Sequence, residues 1–180
     1  MIEVRKALHS VFLALATTAM VACGGSSEDG SATGTLSMGL TDATADSVSK
    51  VHLTISQVAV KPADGPAVRA DYSDDPLVID NVLDLQGSRF AEIMDDTEAP
   101  AGRYNWVRLY VEGGTPDSYV TTDAGRQYDL FVPGQQSGRE NQRFIQLVSG
   151  FNVPVNGNVD FTLDLDLRRA LTRPANSDYY

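Results

Sequence analysis

The chain has 180 residues, 42% of them hydrophobic and 21% charged, with a formal net charge of −10. That length and composition describe a globular chain able to bury a real core, and the acidic balance argues against nucleic acid or an anionic membrane face as a partner, because like charges repel. The single cysteine, Cys23, and the two histidines argue against disulfides and Cys-based metal sites.

The N-terminus sets the organisation. Arg5 and Lys6 precede an apolar run from Val11 to Ala22, 12 residues long. A membrane-spanning helix needs about 20 apolar residues, so residues 1–22 read as a secretory signal peptide. The run ends in Met20-Val21-Ala22-Cys23. This resembles the processing site of bacterial lipoproteins, which places lipid on Cys23 and a membrane partner at the N-terminus. Gly24 follows where Asp would favour the inner membrane, so the expected location is the cell envelope, at the outer membrane. Residues 23–33 form the lipidated cysteine and a flexible tether, GSSEDGSAT after Gly24, with a span of roughly 15–20 Å. Residues 34–180 form the domain. Cleavage before Cys23 removes two cations and one anion and takes the formal charge from −10 to −11. It also leaves His52 as the sole histidine, which excludes a multi-histidine zinc site within one chain.

The domain reads as antiparallel β. Leu36, Met38 and Leu40 alternate with period two, and a turn-rich stretch follows from Thr41 to Asp46. Val51, Leu53 and Ile55 alternate next. The apolar parity then shifts to Val58 and Val60, which places a β-bulge near Ser56-Gln57. Pro62 to Pro76 is a polar loop with a short strand near Val68. Leu77 to Ile79 and Val82 to Leu85 read as a strand or strand pair. Ser88 to Met94 reads as the one short helix, with Ser88 as its cap and Phe90, Ile93 and Met94 on one face. Val107, Leu109 and Val111 face inward. Tyr119-Val120-Thr121, the turn at Asp123-Ala124-Gly125, and Tyr128 to Val132 form a hairpin. Phe144 to Val148 and Phe151 to Val155 flank Gly150, and Asn156-Gly157 signals a tight turn. In the last clear strand Phe161, Leu163, Leu165 and Leu167 point in, while Asp160, Thr162, Asp164 and Asp166 point out. The fold class is an all-β, antiparallel β-sandwich.

Several segments resemble a known family when taken together. They are Gly34-Thr35-Leu36-Ser37 leading into Leu40-Thr41-Asp42-Ala43-Thr44-Ala45-Asp46, Pro100-Ala101-Gly102-Arg103-Tyr104 with Val107-Arg108-Leu109, and Ser149-Gly150-Phe151-Asn152-Val153 with Leu163-Asp164-Leu165-Asp166-Leu167-Arg168. Over about residues 34–172 the chain resembles the bacterial lipoprotein family called domain of unknown function 4382 (DUF4382). The resemblance implies an immunoglobulin-like or transthyretin-like sandwich and an envelope location, with no activity and no site residues. The family has Pro where Thr44 stands, and its members continue past the Arg168-Arg169 segment into a final strand, so that strand is truncated or missing here.

Three candidate sites follow from residue types. Asp42, Asp46, Asp164 and Asp166, with Asp160, could supply carboxylates to calcium; the competing reading is a solvated face paired with Arg168 or Arg169. Trp106, Arg108 and Tyr110 project from one strand face, where aromatic rings stack on sugars and an arginine supplies hydrogen bonds. The competing reading covers them as a second small core. Asp164 and Asp166 as an acid–base pair would make a hydrolase, but same-strand neighbours on an open face lack the opposed geometry that reaction needs. A Ser-His-Asp arrangement would have to use His52, which is expected at or near the surface. The expected function is a non-enzymatic envelope lipoprotein that binds or adheres, to a glycan for example, with no cofactor unless calcium binds. The alternative is a structural lipoprotein whose exposed edge strand pairs with an envelope protein.

Overall fold

A computed structural model describes residues 32–42, 45–133, 143–148 and 150–180. The segments expected to be a signal peptide, a lipidated Cys23 and a tether, up to residue 31, lie outside the described residues, as do Thr44 and Ser149. The strands are β1 (Thr33–Asp42), β2 (Val48–Pro62), β3 (Val68–Asp71), β4 (Leu77–Ile79), β5 (Ala91–Pro100), β6 (Gly102–Glu112), β7 (Tyr119–Thr122), β8 (Gln127–Asp129), β9 (Phe144–Leu147), β10 (Phe151–Val153) and β11 (Asn158–Leu165). One four-residue helix, α1 (Leu167–Ala170), follows.

The strands form two sheets. The smaller has the order β11-β1-β5, and the larger runs β10-β6-β2-β7-β8, with β3 and β4 also paired to β2 and β9 paired to β6. Among the strand pairings only β1–β11 is parallel. The inner faces meet through Leu36, Met38 and Leu40 on one side and Val51, Ile55, Val58, Val60, Val107 and Leu109 on the other, all buried. The result is an all-β sandwich whose alternating side chains fill one core.

The parity shift in β2 is a bulge. Ile55 faces Val111 and Gln57 faces Tyr110, leaving Ser56 as the extra residue. Ser56 and Gln57 are both half-buried, while Ile55 and Val58 on either side are fully buried. Because the bulge absorbs one residue, both apolar halves of β2 reach the same core.

Two expectations are corrected. Ser88 to Met94 is not a helix: residues 91–100 are strand β5, paired antiparallel with β1. Met94 faces Met38 and Glu92 faces Gly39, so Ile93 is an extra residue, and both Ile93 and Met94 are buried. A bulge that turns two adjacent residues inward mimics the i, i+3, i+4 spacing of a helix. Val82–Asp84 is a 3-10 turn rather than a strand, with the Asn81 side chain accepting a hydrogen bond from the Leu83 amide. Its leucine and valine side chains still pack on the core. The tight turn at Asn156 is present with φ of 51°, and it carries the chain from one sheet to the other. Beyond α1 the chain returns to β8, where Tyr180 donates its amide to the Asp129 carbonyl at 2.8 Å.

Candidate functional site

The outer face of the larger sheet carries a groove of about 590 Å³. Its floor comes from the β2 bulge, which presents Ser56 and Gln57 together, and from Arg108, Tyr110 and Glu112 on β6. One wall is Arg69 and Asp71 on β3, with Ser73 just after it, and Phe144 on β9 stands at the other side. Period-two alternation makes this arrangement: the same strands that turn Val58, Leu109 and Val111 into the core must turn these polar residues outward.

The polar groups are tied to one another. Arg69 donates to the Gln57 side-chain carbonyl at 2.6 Å. Asp71 accepts from the Ser73 hydroxyl at 2.7 Å and the Ser73 amide at 3.0 Å. Those two bonds lower the Asp71 pKa, so it stays ionised near neutral pH. Arg108 donates through Nε to Gln146 at 2.8 Å. Its guanidinium carbon lies 4.0 Å from the centroids of both the Trp106 and Phe144 rings. Tyr110 and Phe144 meet at 5.4 Å, tilted by 59°. Trp106, Arg108 and Tyr110 are all half-buried, and the strand that replaced the expected 88–94 helix pairs into the other sheet. The groove contains two cations, Arg69 and Arg108, and two anions, Asp71 and Glu112. It is locally neutral on an acidic domain, with aromatic faces beside rigid planar donors and acceptors.

The carboxylate candidates are dispersed among other tasks. Asp42 is buried and its Oδ1 accepts from the Leu167 amide at 3.2 Å, at the start of α1. Asp46 lies 3.4 Å from Arg168, and Asp166 lies 3.3 Å from Arg169. Asp160 accepts from the Asn158 side chain, and Asp164 is exposed on β11. Among the described residues no group of three or more His, Cys, Asp or Glu side chains converges in a way that could hold a metal.

His52 is stacked on Tyr119, with ring centroids 4.6 Å apart, and its Nδ1 is 3.2 Å from the Asp80 carbonyl oxygen. Lys50 reaches the Asp80 carboxylate at 2.6 Å. That bond raises the Lys50 pKa and lowers that of Asp80. Stacking and backbone contacts occupy this histidine in a surface tie between β2 and the turn after β4.

Of the groove residues, sequence reasoning singled out only Arg108 and Tyr110 as a site. Arg69, Asp71 and Ser73 fell inside a stretch read as a polar loop with a short strand near Val68, Ser56 and Gln57 were read only as a bulge, Phe144 only as the start of a strand, and Glu112 was not singled out. The Val68–Asp71 strand had a usable signal, since Val68 and Ala70 are half-buried while Arg69 and Asp71 alternate outward. Pairing between strands distant in the chain, which brings Phe144 to Tyr110, leaves no local trace.

Residues 33–180 match the family model described as Domain of unknown function (DUF4382). No curated protein and no solved structure matches the chain.

Proposed function

The chain belongs to the DUF4382 family, and from that premise we propose that it is a cell-envelope lipoprotein, anchored by lipid on Cys23, which binds a neutral glycan on the outer face of its larger sheet. The reading rests chiefly on the groove beside the Trp106–Arg108–Phe144 stack. Aromatic faces suit the apolar faces of sugar rings, while Gln57, Arg69, Asp71, Ser73 and Glu112 offer both donors and acceptors to hydroxyl groups. Two cations balanced by two anions favour an uncharged ligand over a uronic acid. The role is binding rather than catalysis: Asp71 is committed to Ser73.

Trp106 is the only tryptophan, so its fluorescence reports the site directly. A saturable change with neutral oligosaccharides, weakened at least tenfold by Tyr110→Ala, is the expected result. A flat response across neutral and acidic oligosaccharides overturns the glycan reading. For the anchor, Cys23→Ala is expected to abolish acyl labelling and to release the protein from the membrane fraction; continued membrane association refutes it.

A further inference from the structure

A second site has different chemistry. At one end of the sandwich, between the two sheets, lies a cavity of about 260 Å³ whose lining residues are all apolar. Leu53, Val82, Val111 and Leu165 form its inner part, and Phe131 and Leu171 stand near its lips. A polar cavity of this size would hold water, but water here finds no side-chain partners. An apolar void of about 150 Å³ is already large enough to stay dry and take up a small hydrocarbon. Protein interiors contain few voids larger than a water molecule, so this space is a feature that calls for an occupant.

The segment that follows the lip in sequence offers no apolar filler. Residues 134–142, which follow Pro133 at the lip, read GQQSGRENQ and contain no apolar side chain. The described N-terminus enters at Thr33, beside Pro100, whereas the cavity lies by Leu165, which faces Asp42 at the far end of β1. Ten strand residues separate those ends, roughly 33 Å. Leu130–Pro133, Ala170 and Leu171 also border a neighbouring, larger space of about 520 Å³ lined in addition by Thr172, Tyr179 and Tyr180. The inner lining is wholly apolar, and the neighbouring space adds the Thr172 hydroxyl and the phenol groups of Tyr179 and Tyr180.

The geometry points to a binding site for one unbranched aliphatic chain, with its polar end left at the Tyr179–Tyr180 side. At roughly 30 Å³ for each heavy atom, the volume share of a liquid water, the inner space takes about eight or nine carbons. Such a chain could belong to a free fatty alcohol or to a lipid tail.

The test uses the full chain and titrates it with 1-nonanol by calorimetry. One saturable site per chain is expected. Ala170→Trp, which fills the lip from an exposed position on α1, should weaken binding at least tenfold. Val132→Trp does the same from the opposite lip, should the first variant fold poorly. Trp106→Ala, beside the glycan groove, should leave nonanol binding unchanged. No saturable binding, equal affinity in both lip variants, or loss in Trp106→Ala instead overturns the proposal. Sedimentation velocity covers another occupant: self-association of the wild type, abolished by Ala170→Trp and without nonanol binding, assigns the cavity to a second copy and overturns it too. If nonanol binds, dodecyl chains on vesicles against free dodecanol distinguish a lipid tail from a free alcohol.

Discussion

The bulge in β2 separates the fold from the groove, and two single-residue deletions expose that separation. Ser56 is the residue that β6 does not match. Deleting it joins Ile55 to Gln57 and restores plain alternation: Ile55 in, Gln57 out, Val58 in, Ala59 out, Val60 in. Every buried apolar side chain of β2 keeps its place. The loss is the Ser56 carbonyl, which accepts from the Tyr72 amide at 2.8 Å, and a weak hydroxyl contact to Tyr110 at 3.4 Å. One or two such bonds amount to about 1–2 kcal/mol, a fall in melting temperature of roughly 2–8 °C for a domain this size. Deleting Ala59, three positions on, has no such escape. Either Val60 turns out and Lys61 turns in, or the bulge relaxes and Val58 exchanges with Gln57. Both valines are fully buried. Expelling one costs about 1.5–3 kcal/mol, and burying a polar group in its place adds about 1–3 kcal/mol. The sum approaches the whole stability of a small domain, about 5–15 kcal/mol. Urea unfolding followed by circular dichroism measures both. The Ser56 deletion should unfold cooperatively at a modestly lower midpoint and lose the glycan response, because the groove loses part of its floor. Equal destabilisation by the two deletions would refute the parity argument.

Three further outcomes follow from named contacts. Asp42→Ala leaves the Leu167 amide without its acceptor and should cost about 1.5–3 kcal/mol, read as a lower thermal midpoint; an unchanged midpoint removes the capping role. Gly34→Ala should cost about 1–3 kcal/mol, because a Cβ there meets the Pro154 carbonyl oxygen and lies 2.7 Å from that of Gly157, both backbone. Gly39→Ala should cost less, since the nearest atoms to its Cβ all belong to the Phe90 side chain, which is exposed and can swing away; denaturation midpoints in the reverse order would count against this. Burial raises the pKa of Tyr72, with Glu92 and Asp95 adding to the effect, and burial alone raises that of Tyr104. A raised folded value gives stability that is complete below the unfolded value of about 10 and is lost as pH rises through the folded one. Stability should therefore fall above about pH 10, less steeply in a Tyr72→Phe, Tyr104→Phe double variant, and a pH-independent midpoint from 9 to 12 would contradict it.

Period-two patterning made most of this fold legible, because a sheet with one buried face writes its register into the sequence. Val51, Leu53 and Ile55 followed by Val58 and Val60 revealed even the bulge. The same logic failed at Ile93-Met94 for a physical reason. A bulge that turns two neighbours inward replaces period two by an adjacent pair, and Phe90 three residues earlier completed a helical spacing. Phe90 itself is exposed and lies over Gly39, so the apparent apolar face was never one surface. The site was half legible. Trp106, Arg108 and Tyr110 share a face because alternate strand residues must. Arg69 and Asp71 join them through the neighbouring strand β3, whose alternation is visible in the sequence, whereas Phe144 joins through pairing with a strand far away in the chain, which no local pattern encodes. Asp42 was misleading for a related reason: its partner, the Leu167 amide, is 125 positions away.

The position of each feature along β1 ties the two proposed sites to the proposed anchor. Thr33 lies beside Pro100 at one end of the smaller sheet, and Asp42, Leu165 and α1 mark the other. Under the proposed anchor, a tether joined at Thr33 would pull on the end where Gly34 closely approaches the Pro154 and Gly157 carbonyls, so tension would enter a region held by backbone contacts. The apolar cavity is at the opposite end, and its lip at Ala170 and Leu171 belongs to a helix held through Asp42. Loosening that helix should therefore affect aliphatic binding without affecting the anchored end. Asp42→Ala supplies the comparison: nonanol affinity should fall while the Trp106 response to oligosaccharide stays at the wild-type level, and a parallel loss of both would mean that the far end of β1 and the outer groove unfold as one unit.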